Sequence, residues 1–170
     1  VILSLNNVWR TYQGHLQSLN GDANFIADQL IVQQTAKIRQ AKYFLTELSQ
    51  FPEIQNPHYS GCKILLERQL HLIPIFSSIG VPTQSGELIC SATLGEALNL
   101  DTSETYFDNA IRYRNLTISN LSRDDENDDL HIHMAYPIEN KSRELLGVAV
   151  GTMSFAWWKN SLSEFESTNG

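Results

Sequence analysis

No run in the sequence approaches the roughly eighteen apolar residues that cross a bilayer, and nothing at its start reads as a charged, apolar, cleavable leader. Positive charge is scarce: twelve Lys and Arg stand against nineteen Asp and Glu, for a net charge of -7. With no basic stripe to neutralise phosphates, nucleic acid and an anionic membrane surface are excluded as partners. Familiar catalytic signatures are missing as well. There is no G-x-S-x-G, no phosphate-cradling glycine loop and no H-E-x-x-H. Catalysis has no foothold, so the chain is read as a non-enzyme that needs no cofactor.

What is present describes an ordinary globular protein. Its 170 residues are 42% hydrophobic and 18% charged, which suits one core with an added long element. The chain begins abruptly at Val1-Ile2-Leu3 and closes on Asn169-Gly170. Both ends read as cuts, so a secretion signal or membrane anchor is expected outside the segment. Its two cysteines, Cys62 and Cys90, have two readings. They are buried thiols of a cytosolic protein, or they form a bridge at one edge of a sheet, Cys62 opening a helix and Cys90 closing a strand. A bridge over this loop contributes roughly 3 to 4 kcal/mol and marks an oxidising compartment.

From Asn7 to about Ser49 there is no proline, and apolar residues recur three and four apart, among them Trp9, Tyr12, Leu16, Ile26, Leu30, Ala41, Phe44, Leu45 and Leu48. This predicts a long helix, interrupted near Gly21, with a stripe suited to lie along a domain or pair with a copy of itself. Phe51-Pro52 and Asn56-Pro57 stop it. A shorter helix fits Cys62 to His71. Alternation at Ile75, Ser77, Ile79 and Val81, turn chemistry from Pro82 to Gly86 and an extended Glu87 to Ser91 predict a hairpin. Asp101-Thr102-Ser103-Glu104 reads as a capping box for a helix through Tyr106, Phe107, Ala110 and Ile111. Strands are expected over Leu116 to Leu121, Leu130 to Pro137 and Leu146 to Phe155, divided by the acidic loop Arg123 to Asp129 and by Glu139 to Arg143. The fold class is α+β, a long N-terminal helix packed on a five-stranded antiparallel sheet with short flanking helices.

Several patterns suggest chemistry, and each has a plainer account. His131 and His133 share one face of a strand, as a metal pair would, but a solvent-facing strand edge explains them as well and is preferred; no metal site is assigned. Asp124, Glu126 and Asp128 alternate as in a calcium loop that lacks its later Gly and Glu, so a solvated hairpin tip is preferred. Asn115-Leu-Thr117, Asn120-Leu-Ser122 and Asn140-Lys-Ser142 satisfy the N-glycosylation pattern, which matters only in a eukaryote. Trp157 and Trp158 are read as packing residues.

Three stretches taken in order resemble the extracytoplasmic Cache domains, PAS-like sensors of bacterial diguanylate cyclases, histidine kinases and chemoreceptors. The first is Ile79-Gly80-Val81 through Ser85-Gly86-Glu87-Leu88-Ile89-Cys90-Ser91-Ala92, like the family's hairpin with a Cys-Ser strand. The second is Ser103 to Ala110, where Tyr106, Phe107 and Ala110 match the family's short helix. The third is His131 through Ala135-Tyr136-Pro137-Ile138 to Gly147-Val148-Ala149-Val150-Gly151, like its last hairpin.

The resemblance favours the bridge between Cys62 and Cys90. It implies a stalk over residues 1–50, a sensor module over 51–156 and a connector helix over 157–170. It further implies a small-molecule pocket bounded by the short helix and the strands after it, with Tyr106, Phe107, Ser119, Asn120, Ser122, Tyr136 and Thr152 as ligand-binding residues. Glu104 stands where the family often carries an Arg, and Thr152 where amino-acid-binding members carry an acid. Both charge partners of a bound amino acid are thus lost. The implied role is the periplasmic input of a membrane-anchored signalling protein, most readily a GGDEF diguanylate cyclase; the alternatives are the sensor of a histidine kinase or chemoreceptor, or a dimerisation module that binds no ligand, and a homodimer is expected through the N-terminal helix.

Overall fold

A computed structural model describes residues 35–56, 61–73, 75–94, 100, 102–123 and 130–154. The chain divides into two compact units, Val1–Arg39 and Gln40–Gly170. Of the first, residues 35–39 are described, and they are helical. The expected helix upstream of them, the acidic loop over 124–129 and the tryptophan pair lie outside the described residues.

Helix α1 covers residues 35–48. Within the second unit it buries Ala41, Phe44, Leu45 and Leu48, the three-and-four spacing of one helix face. Proline ends it as expected, but Pro52 also opens a single further turn, α2 (Pro52–Gln55), since a proline's missing N–H is no loss in a first turn. Helix α3 (Cys62–Leu72) buries Cys62, Leu65, Leu66 and Leu70.

Strands β1 (Ser78–Pro82) and β2 (Leu88–Thr93) form the expected hairpin. Gly86 carries the turn at φ 87°, a conformation open to glycine without steric cost. Its N–H donates to the Thr83 carbonyl at 3.0 Å. A disulfide joins Cys62 at the start of α3 to Cys90 in β2, with the Cα atoms 6.2 Å apart.

Helix α4 (Thr105–Tyr113) follows, but the capping box does not form. Glu104 is itself the extended residue before the first turn, and its side chain makes no capping hydrogen bond. A capping box needs its Glu at the third helical position, and here the helix begins three residues too late. The helix ends in left-handed Arg114, whose guanidinium meets Glu139 at 3.0 Å.

Of the strand expected over Leu116 to Leu121 only β3 (Thr117–Ile118) forms, and a second short strand, β4 (Ser122–Arg123), begins just past it and runs into the start of the expected loop. Both pair with β5 (Leu130–Glu139), which pairs in turn with β6 (Leu145–Ser154). Ile118 sits opposite Met134 and Ser122 opposite His131, so three residues of the edge face two of β5. That is a bulge. Ser119 fills it, its N–H donating to the His133 carbonyl and its hydroxyl accepting the His133 N–H, both at 2.9 Å.

The sheet is antiparallel throughout, in the order β2-β1-β6-β5 with β3 and β4 sharing the last edge. Counted by its edges it is the five-stranded sheet expected. On one face Ile79, Val81, Met134, Ile138 and Met153 are buried. The Phe76 ring lies where a Cβ at Gly151 would be, and Phe44 of α1 packs on Phe76 with ring centroids 5.8 Å apart. On the other face Ala135, Val148 and Val150 pack with Tyr106, Phe107 and Ala110 of α4. No helix among the described residues is long and apolar enough to cross a membrane.

Candidate functional site

Only part of the α4 face is apolar. Register places His133 opposite Thr152, Thr152 opposite Ser78 and Ser78 opposite Thr93. Because side chains in a strand alternate between faces, these four form one row across β5, β6, β1 and β2, on the face of Ala135 and Val150. Ser119 extends the row past β5 through its two bonds to the His133 main chain. A second polar row lies beside it, Ser154 opposite His131 and His131 opposite Ser122.

The middle of the first row is buried, with His133 1% exposed, Ser78 6% and Thr152 9%, while Thr93 and Ser119 are half-buried. His133 Nδ1 lies 3.0 Å from Thr152 Oγ1. The His133 ring stacks on Tyr106 of α4, with centroids 5.4 Å apart and planes 19° apart. Its other neighbour is the half-buried His131, edge-on at 4.8 Å. The helix is tied to the sheet edge where the Thr117 hydroxyl donates to the Tyr106 carbonyl at 2.6 Å. Buried polar groups have to be hydrogen-bonded to be tolerated; here the strand register brings imidazole and hydroxyl together.

The residues singled out from sequence divide accordingly. Tyr106 and Thr152 meet at His133, and Ser119 sits at the end of the same row. Ser122 lies beside His131, its hydroxyl donating to the His131 carbonyl at 3.4 Å. Phe107 is turned into the apolar cluster with Ala135, Val148 and Val150. Asn120 is exposed in the bulge, where its carbonyl accepts the Ser119 hydroxyl. Tyr136 is not brought to the others. It pairs with Ala149, and one step of alternation from Ala135 puts it on the opposite face with Met134 and Ile138.

Sequence reasoning weighed His133 only as half of a metal pair and left it out of the ligand-binding residues. The preferred solvent-facing strand edge does not hold for this residue, which is 1% exposed. The signal was parity: His131, His133 and Ala135 share one face, and Thr152 and Val150 lie across from the last two. Among the described residues no group of three or more His, Cys, Asp and Glu could hold a metal ion.

No protein-family model matches the sequence, and no curated protein matches it significantly. Solved structures do match. The ligand-binding domain of the Pseudomonas aeruginosa amino-acid chemoreceptor PctC, solved with GABA, superposes with a TM-score of 0.62 at 15% identity, covering 82% of this chain and 61% of that one. The ligand-binding domain of the Pseudomonas fluorescens chemoreceptor CtaA, solved with L-isoleucine, also gives 0.62, at 17% identity over 81% and 57% of the two chains. That of a Campylobacter jejuni chemoreceptor with L-valine gives 0.56, at 12% identity over 74% and 57%. The chain thus spans less than two thirds of the solved chains it matches. It has the fold of bacterial chemoreceptor ligand-binding domains, the Cache-type α+β fold that its sequence resembles.

Proposed function

We propose that the chain is an extracytoplasmic, ligand-sensing input domain of a membrane-anchored bacterial signalling protein. The observation that carries this reading is the polar row Thr93-Ser78-Thr152-His133, buried at Ser78, Thr152 and His133 and set beside the helix that carries Tyr106, in a fold whose solved examples hold small molecules. Buried polar side chains are costly unless hydrogen-bonded, and Ser78, Thr152 and His133 stand side by side on one sheet face. The disulfide between Cys62 and Cys90 supports a periplasmic location, since such bridges persist in oxidising compartments. Tyr106, Ser119, Ser122 and Thr152, joined by His133, are the residues proposed to meet the ligand.

Sensing requires only that the ligand prefer one of two arrangements. The segment over 1–50 serves as stalk and dimer contact in this reading, and the chain beyond 156 serves as connector. The output is a GGDEF diguanylate cyclase, with a histidine kinase or a chemoreceptor as the alternative parents. A thermal-stability screen against metabolites tests the core of the proposal, because a ligand that binds the folded state must raise the melting temperature. A dose-dependent rise is expected. A flat response across carboxylates, amines, amino acids and nucleobases would remove the sensor reading.

A further inference from the structure

Side chains tie α1, α2 and α4 together at the end of β5. The Gln55 amide, closing α2, donates to two main-chain carbonyls at once, that of Ser49 just past α1 and that of Glu139, each at 3.1 Å. A primary amide has two N–H donors, so both are used. Ser49 is buried, and a carbonyl at the end of a helix has no partner within it. On the other side, the ladder between β5 and β6 is regular up to Ile138 and shifts register between Ile138 and Glu139. Such an irregularity leaves main-chain groups without a ladder partner, and there the Glu139 carbonyl takes the second Gln55 N–H.

The Glu139 side chain makes the third connection. Its carboxylate accepts the Arg114 guanidinium at 3.0 Å, and Arg114 closes α4, its N–H donating to the Ala110 carbonyl at 3.1 Å. Arg114 is left-handed, at φ 52° and ψ 41°, a conformation that glycine takes at a helix end with less strain. Strain at one residue is kept where the surroundings determine it, and here the carboxylate of Glu139 holds the side chain. With side-chain exposures of 43% and 25% the ion pair is open to water and adds little to stability. What it fixes is position. Glu139 thus holds α4 by its side chain and, through Gln55, the end of α1 by its main chain.

Helix α4 is also the helix whose Tyr106 stacks on His133. Resting on the sensor reading above, we propose that Arg114, Glu139 and Gln55 form a joint through which a shift of α4 over the polar row is passed to the end of α1. Coupling of this kind is reciprocal, so whatever loosens one end loosens the other by the same free energy. The two states at each end are the closed helix terminus and its local opening, which amide hydrogen exchange measures.

Site-resolved hydrogen exchange on the whole chain, without ligand, tests the joint. The reporters at α1 are the N–H groups of Ser49, Gln50 and Phe51, bonded to the Leu45, Glu47 and Leu48 carbonyls, and the reporter at α4 is the Arg114 N–H. Arg114→Gly removes the guanidinium while easing the backbone of its own helix end. It should nonetheless speed exchange at Ser49, Gln50 and Phe51 at least about threefold. Glu139→Ala should do the same, and the two changes together no more than either alone. In the other direction, Gln55→Leu should speed exchange of the Arg114 N–H by a similar factor, while the β1–β6 ladder stays unchanged in every variant. Exchange at Ser49 to Phe51 that is unmoved by Arg114→Gly and Glu139→Ala overturns the joint, as does an effect that runs in one direction only. Speeding that is equal across the β1–β6 ladder reports lost global stability and overturns it too. None of these outcomes touches the question of a ligand, which the melting-temperature screen decides, so the two proposals fail separately.

Discussion

His133 Nδ1 and Thr152 Oγ1 lie 3.0 Å apart in the interior of the sheet, so β5 and β6 are joined there by side chains as well as by their main-chain ladder. Replacing Thr152 by the near-isosteric Val keeps the shape and withdraws a polar partner from a buried imidazole. Thr152→Val should lower stability by about 1 to 3 kcal/mol, whereas Thr152→Ser loses one methyl group and should cost only about 1 kcal/mol. Urea unfolding measures both. Equal midpoints for wild type and Thr152→Val would show that the pair contributes nothing.

Gly151 faces the Phe76 ring, and any Cβ there meets it. Gly151→Ala should therefore destabilise the fold by about 1 to 3 kcal/mol through overpacking. Because the conflict is with one ring, Phe76→Leu in the same background should cost less than the two single changes added, with a coupling of about 0.5 kcal/mol or more. Strict additivity in a double-mutant cycle would place the strain elsewhere.

The bridge between Cys62 and Cys90 closes a separation of 28 residues. Removing both sulfurs with Cys62→Ala and Cys90→Ala should lower unfolding free energy by about 3 to 4 kcal/mol, which for a chain of this size is a fall of about 2 to 4 °C per kcal/mol in melting temperature. Reduction of the wild-type protein should reproduce most of that fall. A reductant that leaves the melting temperature unmoved would contradict a stabilising bridge.

Ordinary amino acids should not bind, although GABA, L-isoleucine and L-valine occupy the domains of similar fold. Glu104 stands where the resemblance places a cation for the ligand carboxylate, and Thr152 where it places an acid for the ammonium. In this structure Glu104 is the residue before α4 and Thr152 is engaged with His133. Calorimetry with each of the three should show no saturation in the micromolar range. Micromolar binding of any one of them would sink this expectation.

Strands with clean alternation and helices with a clear stripe were legible, because burial imposes those periods directly on the sequence. Helix α3 and the β1–β2 hairpin fall within a few residues of expectation. The edge strand was harder to read. Leu116 to Leu121 has the composition of one strand, but the break at Ser119 depends on a hydroxyl meeting the His133 main chain, a contact between residues fourteen apart. Tyr136 illustrates a different limit. Its motif, Ala135-Tyr136-Pro137, was placed correctly on β5, yet which of two neighbours faces α4 is decided by register across the sheet. His133 was left out of the ligand-binding residues for the same reason, since only the pairing with Thr152 reveals that it is enclosed.

Strand β6 is hydrogen-bonded on both sides, to β1 through Val150–Thr152 and to β5 along its whole length. A pull on Ser154 along the strand axis would load both ladders in shear, so their bonds would resist together instead of opening one at a time. The described part of the sheet therefore ends on a strand held from both sides. A small displacement of the Thr152 row would be handed to whatever follows Ser154 as a rigid translation, with little of it dissipated in bending.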